Sequence, residues 1–457
     1  MDRQNTIREN YQTYMWFRQA ALRGDPYAQF NLGLMYKKDG EFEQAVGWLR
    51  QAAHHGLAFA QNHLGSMYYH GRGVARNDAE AAAWFRKAAE QGDPSAQQNL
   101  GLMFRKGCGV PQCHEQALAW FRRAAEQGVC SAQTLLAECY LSGQGTVVDY
   151  AQAMAWFRKA AMQCDAAAQL NLGLMFKRGQ GVQADDEQAL CWFRQAAAQG
   201  NVMAQRQLGV AYADGLGVRA DPLRALAWLQ RAAEQGDQDA QFHLGVMLAN
   251  GQGVERDEAR ALQWYARAAE QRHVLAQYNL GSMYANGRGT ARDEARALAW
   301  YRRAAEQGAA IAQFNLGVIY ASGQGVPRDD GLAAHWYRSA AEQGDASAQN
   351  NLGVMYANGH GVPQDDAMAV YWYAQAAGQG HALAQYNLGG MYNSGRGVAR
   401  DPVRSYMWML LAAEAGDETA SANMGIVARR LTPAQIGAAV DQSQQWRLAH
   451  ARAAKRA

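Results

Sequence analysis

The chain has 457 residues, 49% of them hydrophobic and 19% charged, with a formal net charge of +3. That balance is globular and too weakly basic for composition to imply nucleic acid. No apolar run approaches the ~18 residues of a membrane helix, and the start, MDRQNTIRENYQTYMWF, lacks the apolar core of a signal peptide. The expectation is a cytoplasmic protein, with export by a non-classical route as the alternative. Cys108, Cys113, Cys130, Cys139, Cys164 and Cys191 cluster in one stretch without regular pairing, which fits a reducing compartment.

In chain order, residues 6–24 read as one helix, so 1–24 is a half repeat or N-terminal cap. Residues 25–56 are a short two-helix repeat with a tight turn, KKDGEFEQAV. Residues 57–416 are an array of 36-residue units. Trp84, Trp120, Trp156, Trp192, Trp228, Trp264, Trp300, Trp336, Trp372 and Trp408 recur every 36 residues, and Trp48 and Trp16 extend the series. A fixed period of this size marks a solenoid and overrides a domain count by length. Residues 417–457 hold a degenerate last repeat and a final helix. Thr432 caps that helix and Pro433 starts it, with Ile436, Val440 and Trp446 available to cover the end of the array, as an array requires.

Each unit predicts two helices. In helix A, Gln97, Leu100, Gly101 and Phe104 share one face; in helix B, Ala81, Trp84, Phe85, Ala88 and Ala89 do so. A Gly-x-Gly-Val loop joins A to B, and its valine is expected to tuck into the core. The stretch SGRGVARDP, residues 394–402, looks like a phosphate loop flanked by Arg396 and Arg400. It lacks the strand and the Lys-Ser/Thr pair of such loops, and Gly-x-Gly recurs in phase ten times, so it is architecture. Asp149, Asp185, Asp221, Asp257, Asp293, Asp329, Asp365 and Asp401 also share one register. They read as N-caps of helix B, with Glu80, Gln116, Gln152 and Gln188 three residues beyond the cap completing capping boxes. Helix B closes on AAEQG, whose glycine is a left-handed C-cap, replaced twice, by Cys164 and Arg272. Small residues, the Ala pair of B and the Leu-Gly of A, let the helices approach closely; Ala137 replaces that glycine once. The tryptophans are expected in the core.

The joint Leu-Gly, Gly-x-Gly-Val, Trp and Ala-Ala-Glu-Gln-Gly pattern, as in AQNHLGSMYYHGRGVARNDAEAAAWFRKAAEQGDPSAQ, resembles the Sel1-like repeat, a relative of the tetratricopeptide repeat, over residues ~25–430. The resemblance implies an all-α, right-handed superhelical solenoid of about twelve helix-turn-helix repeats with a C-terminal capping helix. It also implies a bacterial source and a scaffold or adaptor function, with helix A lining the concave face. Secreted members of the family staple each repeat with a cysteine pair; Ala89 and Gln97 stand where such a pair is expected, which argues against that branch.

Residues that vary at one exposed position carry specificity. The position two before the Leu of helix A includes Phe30, Asn62, Phe242, Tyr278, Phe314, Asn350 and Tyr386. The end of helix A changes from Lys37–Lys38, His70, Arg105–Lys106 and Lys177–Arg178 to Asn250, Asn286 and Asn358. The predicted groove therefore has a basic zone and a neutral amide zone beside aromatics. A further asparagine register, Asn31, Asn99, Asn171, Asn279, Asn315, Asn351, Asn387 and Asn423, suits either backbone bonding or ligand contact. His54–His55, and Cys108 and Cys113 with His114, have weak metal-site character; surface histidines and incidental thiols explain them as well.

The reading is a non-enzymatic scaffold that binds a protein or extended peptide, with an acidic segment suited to the basic zone. No catalytic residue, cofactor or metal is assigned. The alternatives are an RNA-binding helical repeat, disfavoured because the basic zone ends near Arg178, and a bacterial effector that binds a host protein.

Overall fold

The 36-residue period becomes pairs of 13-residue helices, as in Pro94–Lys106 (helix A) and His114–Glu126 (helix B). The computed structural model describes residues 14–454, and no strand occurs among them. Residues 14–22 are helical; the rest of the expected N-terminal helix lies outside the described residues. The chain divides between Arg231 and Ala232 into two compact units. The first contains the A helices from Pro26–Lys38 to Val202–Asp214, each but the last followed by its B helix. The second runs from Gln238–Asn250 through five A–B pairs to Pro402–Glu414, then Glu418–Ala428 and Pro433–Ala454.

Local chemistry sets each boundary. Asp93 accepts a hydrogen bond from the Ala96 N–H at 2.6 Å, and Pro94 fills the first helical position. The helix ends on Gly107 at φ 70°. Two residues on, Gly109 (φ 67°) lies against the first turn of the preceding B helix: an added Cβ would sit 2.0 Å from the Asp78 carbonyl oxygen. Gly397 meets the Asp366 carbonyl in the same way, at 2.1 Å. The second glycine of these loops is thus a docking point between repeats. In the loop that resembled a phosphate site, Arg396 pairs with Asp366 at 2.6 Å and donates to the Ala357 carbonyl. The loop valines Val74, Val110 and Val182 are partly buried against the core.

The aspartates cap helix B as expected; Asp149 accepts from the Gln152 N–H at 2.9 Å. The capping boxes do not close there. The N–H of Asn77 donates to the Tyr68 carbonyl and that of Asp149 to the Tyr140 carbonyl, so helix A has already taken the donor that a capping box needs. A reciprocal box forms where the preceding helix does not take the donor: Thr432 N–H donates to Gln435 Oε1 at 2.8 Å, and Gln435 N–H to Thr432 Oγ1 at 3.3 Å.

Packing within a repeat turns on one glycine. A Cβ on Gly101 would stand 2.6 Å from the ring of Phe121, which is fully buried. Gly317 and Tyr337 repeat this contact at 2.5 Å in the second unit. The central ring is therefore the residue after tryptophan. This corrects the expectation for the tryptophans: Trp84 and Trp372 are buried, but Trp120, Trp156 and Trp336 are half-buried, and Trp16 is exposed. A cation covers several of them, as Arg123 does Trp120 (4.5 Å) and Lys159 does Trp156 (3.9 Å).

A buried amide ladder joins the helices. Gln97 Nε2 donates to the Ala89 carbonyl at 3.2 Å, and its Oε1 accepts from Gln127 Nε2 at 2.8 Å. The same exchange links Gln277, Ala269 and Gln307 in the second unit. At these two steps the amides satisfy groups that burial would otherwise leave costly. The final helix covers the last B helix through Ala439, Met407 and Leu411, and Trp446 meets Trp408 edge-on at 6.0 Å.

Candidate partner-binding face

In the first unit, the basic residues at the ends of the A helices divide into two groups. Arg105 pairs with Glu138 at 3.2 Å, Lys177 donates to Gln207 Oε1 at 3.0 Å, and Lys37 shares a hydrogen bond with His63 at 3.3 Å. Burial, then the nearby Lys37 charge, holds His63 down to about 4; burial, then Arg72, lowers Lys37 as well. Lys38, His70, Lys106 and Arg178 are exposed. They sit in last helical turns, where cations also complement the helix dipole.

In the second unit, Phe242, Tyr278, Phe314 and Tyr386 are half-buried, and Asn250, Asn286 and Asn358 are exposed. Phe242 stacks on His273 at 4.6 Å. Asn286 donates back to the Ser282 carbonyl at 2.9 Å. The asparagine register before the Leu is partly structural. Asn31, Asn171 and Asn315 donate to carbonyls one turn back in their own helices. Asn99 reaches Asn62 of the previous repeat, Asn387 reaches Asn350, and Asn423 reaches the Tyr386 hydroxyl. Asn350 is consequently buried.

Three cavities lie on this face in one register, each between consecutive A helices over a B-helix ring. In the first unit, Ser66, Tyr69, His70, Phe85, Asn99 and Lys106 line about 220 Å³. In the second, Tyr278, Ser282, Asn286, Tyr301, Asn315 and Ile319 line about 340 Å³, and Ala321, Tyr337, Asn351, Met355 and His360 line about 170 Å³. The floor is Phe85 in the first unit and Tyr301 or Tyr337 in the second. Burial pushes Tyr265, Tyr301 and Tyr373 up to about 12, so these phenols stay protonated.

Two features escaped the sequence reading. The residue after tryptophan is Phe85, Phe121, Phe157 and Phe193 early and Tyr265, Tyr301, Tyr337 and Tyr373 late, a change readable in the repeat alignment. The second residue of helix A is exposed and apolar at Tyr27, Phe59, Leu275, Ile311 and Leu383. Three residues on stand Phe30, Tyr278, Phe314 and Tyr386, so in each of these helices the pair shares one helix face. Ser95, Ser131 and Ser347 interrupt that register, which hides it from a search for strict periodicity.

Among the described residues, no group of His, Cys, Asp and Glu is placed to hold a metal ion. All six cysteines are free thiols. The Cys113 thiol donates to Glu115, and burial pushes Cys139 up to about 11. His54 stands edge-on to Trp84 at 5.4 Å. No helix among the described residues is long and apolar enough to cross a membrane.

The sequence profile of the Sel1 repeat matches twelve segments, from 8–25 and 26–57 to 346–381 and 382–417. Among solved structures, c5321, a protective antigen present in uropathogenic Escherichia coli strains and displaying an SLR fold, is 37% identical. The match covers 97% of each chain at a TM-score of 0.78. A Sel1 repeat protein from Oxalobacter formigenes is 36% identical over 65% of this chain and 88% of its own, with a TM-score of 0.55. Among curated proteins, none matches the chain.

Proposed function

The chain belongs to the Sel1 repeat family of all-α solenoids, and from that premise we propose that it is a non-enzymatic scaffold that holds a protein partner on its A-helix face. Sel1-type repeats are typically protein-interaction scaffolds. One observation supports this face: cavities recur on it in one register, and their lining changes from His70 and Phe85 in the first unit to Asn286 and Tyr301 in the second. The B-helix side of the array repeats its Trp, Ala-Ala and Gln chemistry with little variation.

Two zones divide the work. Lys38, His70, Lys106 and Arg178, with Lys37, Arg105 and Lys177 behind them, suit an acidic segment and speed its arrival. Asn250, Asn286 and Asn358, beside Phe242, Tyr278, Phe314 and Tyr386, suit an extended uncharged segment and slow its departure. The test is a pull-down from the native cell followed by binding kinetics at low and high salt. Lys106→Glu with Arg178→Glu slows association, and the effect shrinks as salt rises. Tyr278→Ala with Phe314→Ala raises the off-rate at either salt. If both pairs fold normally and leave affinity unchanged, the partner sits elsewhere, on the B helices.

A further inference from the structure

The four tyrosines of the second unit carry an atom that the fold does not need. Phe85, Phe121 and Phe193 fill the slot beside the A-helix glycine with a ring alone, at 2.8, 2.6 and 2.5 Å from an added glycine Cβ. Tyr265, Tyr301, Tyr337 and Tyr373 fill it in the same way, at 2.7, 2.9, 2.5 and 2.7 Å. The ring does the same packing in both series. Packing therefore does not account for the hydroxyl that four consecutive repeats carry.

Its surroundings in two cavities are polar. Ser282 and Asn351 line the two cavities of this unit whose floors are Tyr301 and Tyr337. The ring, wedged on glycine, cannot turn away, so the hydroxyl is fixed in place. In the larger cavity Asn315 gives Nδ2 to the Ile311 carbonyl, which leaves its Oδ1 as an acceptor. The ionised groups at these cavities are already paired: Glu294 with Arg292, and Asp330 with Arg328 at 2.8 Å. A charged guest would lose water and gain no free counter-ion. A neutral guest with both donors and acceptors would match Tyr, Ser and Asn side chains.

We propose that the tyrosine-floored cavities of residues 232–457 are side-chain subsites for carboxamide and hydroxyl residues of an extended, uncharged peptide, whereas the Phe85-floored cavity, rimmed by His70 and Lys106, does not select them. The proposal rests on the A-helix face being the binding face and adds the chemistry of its guest. Tyr301 and Tyr337 are the specificity-determining residues.

The probe is a random ten-residue peptide library displayed on phage and selected on the full chain. Three proteins are compared: the parent, Tyr301→Phe with Tyr337→Phe, and Phe85→Tyr. Equal melting temperatures establish that the conservative changes leave the fold intact. In the parent, Asn, Gln, Ser and Thr are enriched in uncharged peptides. The double variant lowers that enrichment at least tenfold, and purified peptides from the parent selection bind it correspondingly more weakly. Phe85→Tyr raises selection of the same residue class. If the double variant selects the same peptides with the same affinity, the hydroxyls are not specificity determinants and the inference fails while the groove reading stands. If the parent selects no peptide, or if its peptides still bind after Tyr278→Ala with Phe314→Ala, the A-helix face is not a peptide site and both readings fall.

Discussion

Gly101→Ala isolates the contact that sets the spacing of the two helices in a repeat. Alanine is normally the better helix former, by about 1 kcal/mol over glycine. Here its Cβ would stand 2.6 and 2.7 Å from two Phe121 ring carbons and 3.3 Å from the Ala117 carbonyl oxygen. Phe121 is fully buried, as are Ala117, Ala124 and Leu136 around it, so the ring has no empty volume to enter. Overpacking of this kind costs about 1–3 kcal/mol. The clash wins, and the net loss is up to about 2 kcal/mol, taking the helix gain from the packing cost. Unfolding of a repeat array need not be two-state, so the assay is hydrogen exchange read helix by helix. Pro94–Lys106 and His114–Glu126 should lose protection first, with the effect fading in distant repeats. The Gly101→Ala, Phe121→Ala cycle should show a coupling of about 0.5–3 kcal/mol. Increased protection in Gly101→Ala would refute the reasoning, because helix propensity would then outweigh a contact that is not tight.

Two further outcomes follow from backbone strain and from histidine. Arg272 holds φ 69° in a slot that is glycine in most repeats, and a Cβ at the equivalent Gly308 meets nothing within 4 Å. Arg272→Gly should therefore stabilise by about 1 kcal/mol, and Gly308→Arg should destabilise by a similar amount, in thermal melts; a loss of stability in Arg272→Gly would refute the strain argument. His273 and His381 accept the Ala276 and Ala384 N–H on Nδ1 as helix caps, and burial lowers both, as it lowers His63 to about 4. In each case the unfolded chain takes up the proton first. Stability is then complete above the ordinary value of about 6.5 and declines as pH falls below it, for His63 until about 4. Melts from pH 8 to 4 should show that decline, and His63→Gln with His273→Asn and His381→Asn should flatten it; an unchanged pH profile in the triple variant would refute the assignment.

What the sequence made legible is what repetition amplifies. One Gly-x-Gly is ambiguous, but ten in phase cannot be ten phosphate sites, and the contact of Gly397 with the Asp366 carbonyl supplies the reason for the glycine. The B-helix caps, the left-handed Cys164 and Arg272, and the final helix were readable because each rests on local chemistry within a few residues. The capping boxes were misread because the competing acceptor, the Tyr68 carbonyl beside Asn77, belongs to a different helix. The amide ladder was hidden for a related reason. Gln97 and Gln127 each looked like an ordinary polar helix residue, and their hydrogen bond crosses 30 positions.

The tryptophans were misjudged because period and burial are different properties. Trp120 recurs as faithfully as Phe121, yet it lies under Arg123 at the edge of the core while Phe121 fills the glycine slot. The candidate site is the least legible part, since a hydrophobicity pattern scores Phe85 and Tyr301 alike. Both rings satisfy the scaffold equally, so selection for folding does not distinguish them. A hydroxyl that packing does not require, kept through Tyr265, Tyr301, Tyr337 and Tyr373, is therefore better evidence about a guest than any of the residues that build the array. In a repeat protein the conformity of a position reports on the scaffold, and the chemistry that departs from it without a packing reason reports on what the scaffold holds.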